Sequence, residues 1–229
     1  MFGGTAAIQS QNIVGYSSNT LKEGGATLVT PQFLGLVSNN EKVELQTIKC
    51  NVDAEDLVTL NTIDDLGAIV DTYCWTSVKG KGYCWVDAET MDPPEKEVLF
   101  DPGQGFWVQS DEGANVFQSS GQVGVKDVLV TLTEGGATLC GNGSPAKVNL
   151  QDILCNEDAE DLVTLNTIDE LGAIVDTYCW TSVKGKGYCW VDAETMDPPE
   201  KDVLFDPGQA FWVQSDEGEN TITFPAVEL

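Results

Sequence analysis

The densest candidate chemistry in this chain is a Tyr-Cys-Trp triplet at 73–75 and again at 83–85, both repeated at 178–180 and 188–190. In a strand, residues i and i+2 share a face, so Tyr73 and Trp75 point one way while Cys74 points the other. A disulfide between Cys74 and Cys84, and its twin between Cys179 and Cys189, would staple a hairpin. A two- or four-residue loop at KGKG gives cross-strand pairs with odd number sums, which cannot oppose Cys74 to Cys84, so the staple requires a three-residue loop or a bulge. The remaining thiols are Cys50, Cys155 and Cys140, which makes seven in all. An odd total in an exported protein favours a bridge between chains. One scheme pairs Cys140 with Cys155 and leaves Cys50 for a neighbour; another joins Cys50 to Cys140 of the next subunit. The competing reading treats the thiols as small buried hydrophobes.

Aromatic faces supply a second chemistry. Trp75, Trp85 and Trp107, with their counterparts Trp180, Trp190 and Trp212, suit stacking against sugar rings, whereas large aromatics on half-buried strands ordinarily fill cores. Carboxylates supply a third. Asp53, Glu55 and Asp56, repeated as Asp158, Glu160 and Asp161, are candidate calcium ligands, as is the cluster at Asp87, Glu89 and Asp92. None has the DxDxDG spacing of a dedicated calcium loop, and a solvated acidic face is the plainer reading of them. Carboxylate pairs of the glycosidase kind arise by chance at this density, so no catalytic residue is assigned and no enzyme is expected. Apart from possible calcium, no cofactor is expected.

Composition narrows the partners. Eleven Lys against 37 Asp and Glu give a net charge of −26, and the 229 residues contain neither His nor Arg. Nucleic acid and anionic membrane surfaces would be repelled. The commonest general base and the bidentate phosphate clamp are both missing. No apolar run approaches the roughly 20 residues that span a bilayer. The opening MFGGTAA places small residues where an export signal commonly ends but lacks a basic start and an apolar stretch, so Met1 to Ala7 reads as a signal remnant or as a plain lead. Seven cysteines without a clustered CxxC pair point to disulfides and an oxidising, extracellular or cell-surface location.

The elements that must position these residues come in duplicate. Residues 53–113 recur at 158–218 with three substitutions, Asp65 to Glu170, Glu97 to Asp202 and Gly105 to Ala210. LKEGGATLV at 21–29 matches LTEGGATLC at 132–140, and six residues are missing from the second copy between that segment and Lys147. The repeat predicts two domains, 1–119 and 120–229, close together because no long linker separates them. Within a copy, DLVTLNTI alternates apolar and polar residues, DDLG (64–67) reads as a turn, and AIVDTYCWTSV is rich in β-branched and aromatic residues. KGKG at 79–82 and DPGQ at 101–104 mark further reversals. VELQTI at 43–48 is the only helical candidate, and it is short. The expected class is all-β, as two tandem, near-identical β-sandwich-like or small-barrel domains.

QNIVGY near the start, the EGG turn, the aromatic hairpin and PGQGFWV near the end of each copy resemble uncharacterised secreted β-domain proteins found in multiple copies in planctomycete and verrucomicrobial bacteria. That resemblance implies export and a surface role, and it carries over no catalytic residues.

The expected function is an extracellular structural subunit that assembles with itself into a filament, sheath or surface layer. A contact between copies that recurs head to tail would build open arrays, helped by strand addition from IQSQNIVGY or NTITFPAVEL and by disulfide cross-links. Salt or calcium would promote such assembly by screening the charge. The alternative is a tandem carbohydrate-binding or adhesin module, with cell-surface glycans as partners and duplication raising avidity.

Overall fold

Period-two alternation builds the strands that the turns delimit. The structure, a computed structural model, describes residues 14–33, 42–64, 66–124, 126–169, 171 and 173–226. The first copy contains β1 (Val14–Thr20), β2 (Gly25–Val29), β3 (Val43–Glu44), β4 (Lys49–Cys50), β5 (Val58–Ile63), β6 (Ile69–Val78), β7 (Gly82–Asp87), β8 (Leu99–Phe100), β9 (Phe106–Ser110) and β10 (Val116–Gln122). The second contains β11 (Val128–Thr131), β12 (Gly136–Gly141), β13 (Val148–Asn149), β14 (Leu154–Cys155), β15 (Val163–Ile168), β16 (Ile174–Val183), β17 (Gly187–Asp192), β18 (Leu204–Phe205), β19 (Ala210–Ser215) and β20 (Thr221–Phe224).

The protein is all-β. In the first copy the sheets run β2-β9-β5-β6-β7, β1-β10-β4 and β3-β8, and in the second β12-β19-β15-β16-β17, β11-β20-β14 and β13-β18. All strand pairs in these sheets are antiparallel. Among the described residues no sheet closes on itself, so the small-barrel form is not adopted there. The short helical candidate at 43–48 is β3 followed by a single 3-10 turn, Leu45–Thr47, in keeping with the all-β class. The 119/120 junction falls inside β10, which pairs along its length with β1. Among the described residues no helix is long and apolar enough to cross a membrane.

The turns form where expected. Asp64 Oδ1 accepts from the N–H groups of Leu66 and Ala68 at 3.0 and 2.8 Å, and Gly67 supplies the left-handed φ of 80° that the reversal needs. Strands β6 and β7 meet at Val78 and Gly82 across a three-residue loop.

Equivalent residues fill two buried clusters. The first centres on Leu45, Ile48, Leu60, Trp85, Phe106 and Phe117; the second centres on Leu150, Ile153, Leu165, Trp190, Phe211 and Ile222. Each side chain of this size contributes about 1.5–3 kcal/mol when fully buried. One side chain also protects a sheet edge. Gln46 Nε2 donates to the Trp85 carbonyl at 2.8 Å and its Oε1 accepts from the Trp85 N–H at 3.1 Å, so a side-chain amide occupies the outer face of β7 where a further strand would pair. Gln151 does the same for Trp190.

Candidate functional site

The four tryptophans of the hairpins are core residues, which corrects their assignment as a stacking platform. Trp75, Trp85, Trp180 and Trp190 are all at least 97% buried. Their faces are already used: Trp75 meets Trp85 edge-on at 5.4 Å and stacks on Tyr83 at 6.2 Å, with the same arrangement around Trp180. The indole N–H of Trp85 donates to the Ile48 carbonyl, and that of Trp190 to Ile153. Alternation from a buried β5 partner turns Tyr73 and Trp75 inward together, leaving no ring face for a ligand.

The expected disulfide staple is not made. The hairpin loop has the required three residues, yet its register sets Trp75 opposite Trp85, Cys74 opposite Val86 and Cys84 opposite Thr76. The sulfurs are therefore diagonal rather than opposed, and all seven thiols are free. Cys50 and Cys140 are buried, so neither offers a sulfur to a neighbouring chain, which removes the physical basis for the bridge between them. Cys140 and Cys155 lie in the same core, close enough for a charge on one to oppose ionisation of the other. Burial pushes Cys50 and Cys155 up to about 12 and raises Cys140 further in the same direction. Cys74 and Cys179 are also raised, by desolvation first and then by Asp56 and Asp87 or by Asp161 and Asp192. A thiol held protonated is a poor nucleophile.

The acidic candidates do not converge. Among the described residues no group of three or more His, Cys, Asp or Glu is placed to hold a metal ion. Glu55 instead accepts from the Tyr83 hydroxyl at 3.2 Å, and Asp56 takes a left-handed φ of 59° at the end of a 3-10 turn. Glu160, beside Tyr188, and Asp161 repeat this arrangement, while Asp53 and Asp158 lie on the preceding turn of each copy. Asp87 Oδ1 accepts from the N–H groups of Glu89 and Thr90, and these bonds hold its carboxyl below the usual range.

What the tertiary structure brings together is the contact between the copies. Val29 bridges to Gln209 and, reciprocally, Cys140 bridges to Gln104. The Thr30 N–H donates to Gly208 and the Gly141 N–H to Gly103, both at 2.9 Å. In the repeat, Val29 corresponds to Cys140, Thr30 to Gly141, Gly103 to Gly208 and Gln104 to Gln209. Each copy thus uses the same patch against the same patch, an isologous, pseudo-two-fold contact.

On one side of that contact lies an apolar cleft of about 310 Å3, lined by Ile63, Ile69 and Trp107 of one copy, by Ile168, Ile174 and Trp212 of the other, and by Gly67. Trp212 reaches across so closely that a Cβ on Gly67 would sit 2.5 Å from its Cη2. Asn61 holds the Trp107 segment, donating to its carbonyl at 3.1 Å and accepting from Thr72 Oγ1 at 2.8 Å; Asn166 repeats this with Trp212 and Thr177. Leu66 and Leu171 stand exposed on the neighbouring turns, at 83% and 82%. Of the six tryptophans considered for stacking, Trp107 and Trp212 alone remain half-exposed. The sequence contained the six equally; their difference follows from which strand face meets the other copy. Comparison of the chain with protein-family models, curated proteins and solved structures finds no match to any of them.

Proposed function

We propose that the protein is a non-catalytic binding module of the adhesin type, acting outside the cell, in which the two copies are domains that associate as a pseudo-dimer. The observation that carries this reading is the paired-tryptophan cleft on the contact between copies. Its volume lies at the lower end of the range of ligand pockets. Its lining suits an aromatic or aliphatic group presented by a partner, and the net charge of −26 disfavours anionic ones. The absence of His and Arg from the sequence and the raised thiols support a role without catalysis. The extracellular placement rests on the acidic composition; the free thiols add no support to it.

Titration with the neutral, polarity-sensitive dye Nile red tests the cleft. Its emission should rise and shift to the blue, and the Trp107→Ala and Trp212→Ala variants should each weaken uptake by at least fivefold. Dye uptake that is absent, or equal in all three proteins, would defeat the reading.

Self-assembly into a filament or layer is the second reading, and the exposed Leu66, Ile69, Leu171 and Ile174 around the cleft favour it. The route differs from a recurring head-to-tail contact, because an isologous contact consumes the same patch on both copies and leaves none for the next chain. Light scattering across a calcium and salt series tests it, with monomers at every condition as the contrary result.

A further inference from the structure

A second cavity, of about 590 Å3, lies where β1 meets the Asp206–Gln209 turn of the other copy. Its floor holds an anomaly. Gln32 is 1% exposed, yet neither Nε2 nor Oε1 of its side chain has a hydrogen-bond partner. A buried polar group without a partner is costly and is retained where something else meets it. The amide nitrogens of Gln32 and Asn19 gather over Gly208, where an added Cβ would come within 2.4 and 2.6 Å of them. Gly208 has a φ of 73°, so the backbone there excludes ordinary side chains as well. Ser18, Thr20 and Thr27 also line the cavity, as does Tyr16, which is 64% exposed. The one carboxylate of the lining, Asp206, is paired with Lys147 at 2.7 Å.

We propose that this cavity binds a neutral sugar residue. A sugar hydroxyl both donates and accepts, which matches an amide that offers one donor group and one acceptor side by side. Tyr16 supplies an apolar face for the ring. The strongly negative chain disfavours acidic sugars. This pocket is independent of the tryptophan cleft and does not require it.

Among the described residues this polar set belongs to the first copy, although the repeat is present twice. Ser17 and Asn19 correspond to Val128 and Val130 in the second copy, and those valines press against Gly103, the counterpart of Gly208, with Cγ atoms 2.8 and 3.0 Å from where its Cβ would be. The second copy therefore has aliphatic side chains where the first has an amide and a hydroxyl. Gln32 itself lies in the segment where the two copies diverge.

Titration calorimetry of the full chain with neutral oligosaccharides of glucose, galactose, mannose and N-acetylglucosamine provides the test, with an oligogalacturonate as the charged control. At least one neutral series should bind at one site per chain, and the oligogalacturonate should not. Gln32→Leu and Asn19→Val should each weaken binding by tenfold or more, while Trp107→Ala leaves it unchanged. Gln32→Leu also removes the unpartnered amide, so its urea midpoint should hold or rise as binding falls, a split that a purely structural glutamine would not give. Asn19→Val installs the residue already present at position 130, so it should fold. No binding by any neutral series, two sites per chain, or undiminished affinity in both pocket variants would overturn the proposal.

Discussion

Gly105 and Ala210 face one another across the contact between the copies: a Cβ on residue 105 would lie 3.0 Å from the Ala210 Cβ and 2.8 Å from Leu139 Cγ. These are equivalent positions in the repeat, and one of only three differences across residues 53–113 and 158–218 falls here. The same pattern holds at Thr30 and Gly141, where a Cβ on Gly141 would come 2.9 Å from Thr30 Cγ2. Near a pseudo-two-fold axis equivalent residues meet each other, and there is room for one larger side chain rather than two. For the Glu97 to Asp202 difference nothing in the structure gives a reason.

Gly105→Ala should therefore destabilise the protein by about 1–3 kcal/mol, the usual range for overpacking. Ala210→Gly, which only removes a methyl from the same place, should cost roughly 1 kcal/mol or less. Urea denaturation of the two variants checks the asymmetry, and equal losses would contradict the packing account.

Stability should fall as pH rises above about 9. Cys50 and Cys155 stand at about 12 in the folded protein against an ordinary 9.0, and Cys140 is raised in the same direction. Above 9 the unfolded chain loses these protons while the folded protein keeps them, so each such thiol removes about 1.4 kcal/mol per pH unit until its folded value is reached. Tyr73 and Tyr178, also raised by burial, steepen the decline above their ordinary 10.0. Cys140→Val, which installs the residue found at position 29, should flatten the curve of unfolding free energy between pH 9 and 12.

Iodoacetamide at pH 8 should leave Cys50, Cys140 and Cys155 unmodified in the native protein and label them all in urea. Cys50 and Cys140 are buried and Cys155 is partly buried, and the raised thiols of all three act in the same direction. Mass spectrometry of the digested protein reads each site. Rapid native labelling of Cys140 would contradict its place in the core.

Gln46→Ala should cost about 1–3 kcal/mol, because it strips both partners from the Trp85 backbone. It also opens the edge of β7 to pairing with other chains. Thermal melts should show the loss, and light scattering should show faster aggregation than for the parent. A Gln46→Glu variant, which keeps the acceptor and loses the donor, should fall between the two.

The sequence by itself determined the strands, the turns and the duplication, because these are local: period-two alternation, Asp64 with Gly67, and the glycines of KGKG act within a few residues. It also determined the protein's charge and its lack of imidazole and guanidinium. Tertiary structure decided the rest, because site formation depends on contacts distant in sequence. The β6–β7 register is set by where the three-residue loop closes, between Val78 and Gly82, and the glycines of KGKG allow more than one closure, so spacing alone did not separate an opposed Cys74 and Cys84 from a diagonal pair. Trp75 and Trp85 point into the first core with Phe106 and Val108, whereas Trp107 stands on the opposite face of β9, where it is partly exposed in the cleft that it shares with Trp212 of the other copy. Gln46 in VELQTI and Gln32 in TPQF carry no motif around them. Long-range packing gives one of them the Trp85 backbone as its partner and leaves the other without one.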